Sequence, residues 1–433
     1  MGRLNPFSGL DSGVVQRAAE QYGTPFYLYD EQTIADKCGA LTSMPNAYGL
    51  TVRYAMKANS TKAILKAVKS RGLAIDASSV NEARRALIAG YGCADIILTT
   101  QEAPRGDDMR DLRDMMKRGL IYNVCSLLQL RNIGEFAAQN GIALALRVHP
   151  GVGTGESASR NTGDKYSCFG IHLDDVGGAM AYAGGVGAVI KHVHTHIGSG
   201  GDPEIWRKNI DLVLNIIGDS FPDAAIAGFG GGLREARMPD ESAADTDDLG
   251  LYAKKAVEAF YKKTGRKLVT EIEPGTYVMA NAGYIVTTVA DKKKTGDDGF
   301  EFLVLDGGME LNARPLLYGS RHPFYVVSRG GELLSSEFDG AERGYQAVPV
   351  GRCCESGDAQ SLDASGLSVP RGMAEPEAGD YFVIGGAGAY CSAMAPMNYN
   401  SHFQAPEILY TCDGRLELIR SRQTLEQIII NEI

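Results

Sequence analysis

Between residues 52 and 274 the chain repeats one arrangement eight times: a short apolar run, then a stretch of helical periodicity. The runs are VRYAMKA (52–58), LAIDASS (73–79), DIILTT (95–100), IYNVCS (121–126), ALALRVHP (143–150), KHVHTHI (191–197), AAIAGFGG (224–231) and KLVTEIEP (267–274). Each has the length of a buried strand, and most are rich in Val, Ile, Leu and Ala. The segments between them gather apolar residues on one face, as Ile64, Leu65 and Val68 do in STKAILKAVKSRG. Several end on a glycine, at Gly92, Gly119 and Gly141. Strands that alternate with helices pair in parallel, because parallel neighbours need a crossover. Eight such units favour a closed TIM-type (β/α)8 barrel over an open doubly wound sheet.

After about residue 282 the texture changes. YIVTTVADKK, EFLVLDGG, PFYVVSR, AVPVGRCC, DYFVIGG, EILYT and RLELIRS are β-rich, with Gly, Asp and Pro between them. The Asp413-Gly414 pair is a hairpin signal. The polar stretch 355–367 is expected to loop out. TPFYLYD (24–30) is one more strand, whose partner the sequence does not fix. The predicted organisation is therefore α/β plus β: a barrel over 30–282, followed by a mostly antiparallel β-domain built from 283–433 together with 1–29.

Composition removes several function classes. Hydrophobic residues make up 44% of the 433, too many for a disordered chain. No apolar run reaches the roughly 18 residues of a membrane span. Met1 to Asp11 lack a basic-then-apolar pattern, so a secretory signal is not expected. The 53 acids outnumber the 43 bases, and the one short basic run, Lys292 to Lys294, precedes Asp297 and Asp298. A nucleic-acid footprint would be basic and clustered. The eight cysteines form no CxxC pair, so neither a zinc site nor a disulfide framework is expected. A reduced, cytoplasmic protein fits that usage.

In a TIM barrel the functional groups collect at the C-terminal strand ends. There the sequence has Lys57 on the first strand, Ser78 and Ser79 on the second, and Arg147 and His149 on the fifth. His194, His196, Gly198 and Ser199 close the sixth. Gly230, Gly231 and Gly232 follow the seventh, and Glu271 and Glu273 lie on the eighth. Polar groups in apolar strands are costly without partners, so their recurrence at one end marks a site. A triple glycine lets backbone N–H groups approach an anion, and barrels often bind phosphate after strands seven and eight. Taken alone it is as readily a tight turn. A lone strand-end lysine is commonly a surface residue. A lysine, a phosphate cradle and an acid together suggest pyridoxal phosphate. The lysine would form the Schiff base, and Glu273 would keep the pyridine nitrogen protonated.

From about Thr24 to the C-terminus the motifs YAMKAN, DASSVNE, HIGSG, GGG, EPG, RPLLYG, CESGD and GAYCSAM…NYN follow one another. In that order the chain resembles the fold-type III pyridoxal-phosphate decarboxylases, the diaminopimelate decarboxylase family most closely. The resemblance implies cofactor contacts at Lys57, His196, Ser199, Gly230, Gly231, Gly232, Glu273 and Tyr390. It implies substrate contacts at Arg314, Tyr318, Glu355 and Tyr390. His196 would stack on the cofactor ring, and Cys354 would return the proton to the α-carbon, with Lys57 as its rival. It also implies a head-to-tail homodimer, each site joining Lys57 and His196 of one subunit to Cys354 and Glu355 of the other. The reaction implied removes the D-centre carboxylate of meso-diaminopimelate, giving L-lysine and carbon dioxide, the last step of lysine biosynthesis. No metal is implied.

Three positions depart from the family pattern. Thr276 stands after Glu-Pro-Gly where the family usually has an arginine for the distal carboxylate. Ser401-His402-Phe403 follows NYN without an arginine. Cys168 precedes Phe-Gly where lysine is common. Losing a bidentate carboxylate partner is not a small change. It leaves room for a decarboxylase of ornithine, lysine, arginine or a carrier-bound amino acid. An amino-acid racemase or a non-catalytic cofactor binder are more distant readings. His194 is expected to be a hydrogen-bonded core residue, Cys353 and the remaining cysteines packing groups, and Trp206 core or interface. Tyr399 and Asn400 are expected at the site or the dimer interface.

Overall fold

The computed structural model describes every residue except 1, 6, 7, 152, 154–161, 199–201, 341–343 and 364. The chain divides into two compact units. One comprises Lys37–Arg234 and Ala243–Tyr277, the other Met1–Asp36, Glu235–Ser242 and Val278–Ile433.

The first unit is a barrel of eight strands: β1 (Leu50–Ala55), β2 (Ala74–Ala77), β3 (Ile96–Leu98), β4 (Ile121–Val124), β5 (Leu144–His149), β6 (Ile190–His194), β7 (Ile226–Gly228) and β8 (Val269–Ile272). They run in the order β4-β3-β2-β1-β8-β7-β6-β5, and a β4–β5 pairing closes the ring. All these pairings are parallel. The expected apolar faces do the packing. Ile64, Leu65 and Val68 of the helix Lys62–Ser70 are fully buried, each worth about 1.5–3 kcal/mol relative to exposure. Ser79 caps the helix Val80–Ile88: its Oγ accepts the Glu82 N–H at 3.1 Å, and the Glu82 carboxylate accepts the Ser78 N–H at 2.6 Å. Two orphan donors are thereby satisfied, and the DASSVNE turn is fixed beside Lys57. Trp206, on the helix Pro203–Ser220, is 2% exposed and meets the Phe229 ring edge-on.

The second unit is a mostly antiparallel sheet. Its strands run Leu333–Ser336, Phe324–Val327, Tyr381–Ile384, Gly283–Lys294, Phe26–Asp30, Glu407–Tyr410 and Leu416–Arg420. From Gly283–Lys294 a branch passes to Glu301–Leu305, Tyr345–Val350 and Arg371–Met373. Phe26–Asp30, unplaced by the sequence, lies between Gly283–Lys294, antiparallel, and Glu407–Tyr410, parallel. The Asp413-Gly414 turn joins an antiparallel pair as expected.

Two expectations fail. Residues 355–367 do not simply loop out: Asp358, Ala359, Gln360 and Ser361 are buried. Their polar groups are occupied, since the Asp358 carboxylate accepts the N–H groups of Met309 and Cys353, and Gln360 Oε1 accepts Asn312 Nδ2 at 3.1 Å. Cys168 and Cys412 are exposed, whereas Cys38, Cys93, Cys125 and Cys391 are buried. Among the described residues, no helix is long and apolar enough to cross a membrane.

Candidate active site

The alternation of β6 and β8 sets the chemistry of the barrel. Residues two apart share a face, so His192 and His194 face inward together, as do Glu271 and Glu273. Between these strands lies Gly228 of β7, opposite both His194 and Glu271. A Cβ there would collide with the His192 ring and come within 3.2 Å of His194 Cδ2. The glycine therefore makes room for two imidazoles to reach two carboxylates. His194 Nε2 lies 2.9 Å from Glu273 Oε2, and His192 Nε2 lies 3.5 Å from Glu271 Oε1. Arg53 of β1 approaches Glu271 at 2.6 Å.

Burial governs the proton affinities. It pushes Glu273 up to about 7, helped by the neighbouring Glu271 charge. It likewise raises Asp76 to about 6 and lowers His192 to about 4 and His194 to about 3. At neutral pH both histidines are uncharged, so the His194–Glu273 contact is a hydrogen bond that orients the carboxyl rather than an ion pair.

Lys57 sits in the turn Met56–Ala58 directly after β1, half-exposed, its Nζ 3.5 Å from the buried Asp76 of β2. The triple glycine follows β7. Gly230 and Gly232 have φ of +66° and +101°, which favour glycine. A Cβ on Gly231 would stand 2.7 Å from the Glu273 carbonyl oxygen and 3.0 Å from His196 Cε1. The Gly231 N–H donates to His196 Nδ1 at 2.9 Å. That bond leaves the ring proton on Nε2, and burial holds the imidazole well below its usual range, so His196 is neutral and fixed. Ser199 lies outside the described residues.

The barrel thus brings together Lys57, His196, the three glycines and Glu273. Glu273 Oε1 is buried without a hydrogen-bond partner among the described residues. An amine, an acid with a spare buried oxygen and a backbone turn that excludes side chains fit the aldehyde, ring nitrogen and phosphate of pyridoxal phosphate. Sequence reading passed over Asp76 as an individual site residue and gave Arg147, placed at the end of the fifth strand, no role. Both were visible as polar side chains in apolar strands. Arg147 of β5 is buried over the Phe169 ring.

The β-rich unit carries the other candidates. Arg314 begins the short helix Arg314–Tyr318, is 1% exposed, and stands over the Tyr318 ring. Cys354 and Glu355 are exposed. Asn400 Oδ1 accepts the Cys354 N–H at 2.7 Å, and Tyr399 OH lies 3.4 Å from Glu355 Oε2. Tyr390, Asn398, Asn400 and Ser401 all have positive φ, between 49° and 63°. Four such non-glycine residues within twelve positions are strained, and strain of this kind collects at functional segments. Cys353 is not a plain packing group: its Sγ lies 3.4 Å from the Glu310 carboxylate, which also holds Arg352 at 3.0 Å. Glu310, Cys353 and Asp358 together fasten the loop that carries Cys354.

Residues 33–280 match the family described as pyridoxal-dependent decarboxylase, pyridoxal binding domain. A diaminopimelate decarboxylase of Escherichia coli K12 is 31% identical over 421 residues, covering 96% of each chain. One from Streptomyces coelicolor is 31% identical over 429 residues, covering 98% of this chain and 92% of its own. A crystal structure of diaminopimelate decarboxylase superposes with a TM-score of 0.90 at 30% identity, covering 100% of this chain and 99% of its own. The Helicobacter pylori enzyme complexed with L-lysine superposes at 0.79 and 26% identity, covering 96% and 98%. With Lys57, Glu273 and the glycine turn gathered at the barrel end, and with likeness along nearly its full length, the chain belongs to the fold-type III pyridoxal-dependent decarboxylases.

Proposed function

We propose that the chain removes the D-centre carboxylate of meso-2,6-diaminopimelate, giving L-lysine and carbon dioxide. The observation that carries this reading is 31% identity over 96% of the chain to relatives bearing that activity in their name. The cofactor, when bound, supplies the electron sink that accepts the pair left by the departing carboxylate. The chain's residues do the rest. Lys57 would hold the cofactor's aldehyde carbon, Glu273 its ring nitrogen and Gly230–Gly232, with Ser199, its phosphate. His194 orients the Glu273 carboxyl, and His196, neutral and tied to Gly231, supports the ring face. Arg314, Tyr318 and Tyr390 would hold the distal end of the substrate, and Glu355 its ammonium. Cys354 would deliver the proton to the α-carbon, with Lys57 as the rival donor.

The partner arrangement in this reading is a homodimer with shared sites, and the setting is the cytoplasm. Eight cysteines that all stand as free thiols support the setting. The test is product analysis of cofactor-loaded protein offered meso-diaminopimelate, L-lysine, L-ornithine and L-arginine in parallel. Lysine and carbon dioxide from diaminopimelate alone are expected. Preferred turnover of another substrate would replace this reading with that of a related basic amino-acid decarboxylase, the alternative invited by Thr276.

A further inference from the structure

The β-rich unit buries three basic groups around one glycine turn. Arg237, in the segment Glu235–Ser242, is 3% exposed, and its Nε donates to the Gly386 carbonyl oxygen at 3.0 Å. Its stem crosses Gly386, where an added Cβ would come within 2.9 Å of both Cγ and Cδ. His322, fully buried, places Nδ1 2.9 Å from the adjacent Gly385 carbonyl. Arg314 donates from Nη2 to Ser320 Oγ at 3.1 Å. Arg314 Nε and His322 Nε2 are buried and have no hydrogen-bond partner among the described residues.

These groups sense one another. Burial is the leading reason that all three hold their protons less tightly. For Arg314 the next cause is the Arg237 charge, and for His322 the next two are Arg314 and Arg237. Tyr390 and Cys391 also face both arginines. The carboxylates facing Arg237 are Glu241 and Glu235. Glu241 accepts the backbone N–H groups of Arg237 and Met238, and Glu235 accepts Asn281 Nδ2 at 2.9 Å. Two guanidiniums sharing a dry interior are costly unless an anion joins them. The buried Arg314 Nε–H left open there calls for an acceptor that arrives with a ligand, whereas neutral His322, whose Nδ1–H donates to the Gly385 carbonyl, presents a lone pair at Nε2.

We propose that Arg237 acts with Arg314 to bind the distal carboxylate of the substrate. The inference rests on the function proposed above. It gives that carboxylate a second guanidinium although Thr276, short and buried, stands after Glu-Pro-Gly. Arg237 follows the triple glycine by five positions in the chain, within LREARMP, a stretch that carried no motif in the sequence reading.

The test uses cofactor-loaded enzyme and two ligands, L-lysine and 1,5-diaminopentane, which lacks the carboxylate. Calorimetric affinities are compared for wild type, Arg237→Gln and Arg237→Lys. Arg237→Gln is expected to weaken L-lysine about tenfold or more and leave diaminopentane within about twofold. Arg237→Lys keeps the charge but loses the planar fork, so an L-lysine loss of about threefold to tenfold is expected. L-lysine affinity unchanged in either folded variant, or equal losses for both ligands, would overturn the proposal. If Arg237→Gln fails to fold, Arg237→Lys decides alone. Should the wild type release no carbon dioxide from diaminopimelate, the function falls separately, while the ratio of the two ligand affinities still judges the carboxylate site.

Discussion

Glu273 sits where a negative charge is expensive, and its pH behaviour follows. Burial raises its proton affinity from 4.5 to about 7. Between those values the folded chain holds more protons than the unfolded one, so this group's contribution to stability falls as pH rises and levels off above about 7. His192 and His194, held at about 4 and about 3 against 6.5, act in the opposite sense: they penalise the fold as pH drops below 6.5. Comparing cofactor-free wild type with Glu273→Gln subtracts the histidines. The variant is expected to gain roughly 1–3 kcal/mol relative to wild type between about pH 5 and about pH 8. Urea unfolding followed by Trp206, the one tryptophan and a buried barrel residue, reads this. A difference independent of pH would refute it. Lys57 and Cys354 separate by magnitude instead. A general acid contributes about 10²–10⁴ in rate, whereas the cofactor supplies the electron sink that makes the reaction possible. Lys57→Ala should therefore lose more of kcat than Cys354→Ala, and equal residual rates would sink these roles.

At the scale of elements, the glycine turn after β7 is the most constrained piece. Gly231→Ala must push a methyl against the Glu273 carbonyl and the His196 ring. It is expected to weaken pyridoxal phosphate binding about tenfold to a hundredfold while leaving Trp206 fluorescence unchanged. Equilibrium dialysis measures the loss, and wild-type affinity would mean the turn is not the phosphate cradle. This turn was readable from the chain because its signal is local, as were the eight barrel strands, which announce themselves by period and composition. What escaped reading depends on register between distant segments. The His194–Glu273 bond spans 79 positions. The cluster of Arg53, Glu271 and His192 exists only because β1, β8, β7 and β6 are neighbours, with Gly228 leaving space between. Phe26–Asp30 finds its parallel partner at Glu407–Tyr410, a pairing no local pattern encodes. Residues 355–367 looked like a surface loop because burial of Asp358 and Gln360 rests on partners at Met309 and Asn312.

For the whole molecule, the proposed shared-site homodimer makes a prediction that no single variant can imitate. The β-rich unit exposes Leu316, Leu317, Met397, Tyr399 and Phe403 at 42%, 52%, 65%, 37% and 39%. Exposed apolar side chains are what subunit association covers. They flank Arg314, Tyr318 and the strained segment from Tyr390 to Ser401, so an interface there would border the residues proposed for substrate. If one subunit supplies Lys57 and its partner supplies Cys354, then Lys57→Ala and Cys354→Ala each spoil both sites of their own homodimer. A mixed dimer places both lesions in one site and leaves the other intact. With random exchange half of the dimers are mixed, so about one quarter of wild-type activity should return on mixing two nearly inactive proteins. Activity after subunit exchange, assayed as carbon dioxide release, measures this. Recovery above the sum of the parents requires sites built from two chains. If exchange is verified by mass and no activity returns, each chain completes its own site. Cys354 and Lys57 would then have to meet within one subunit.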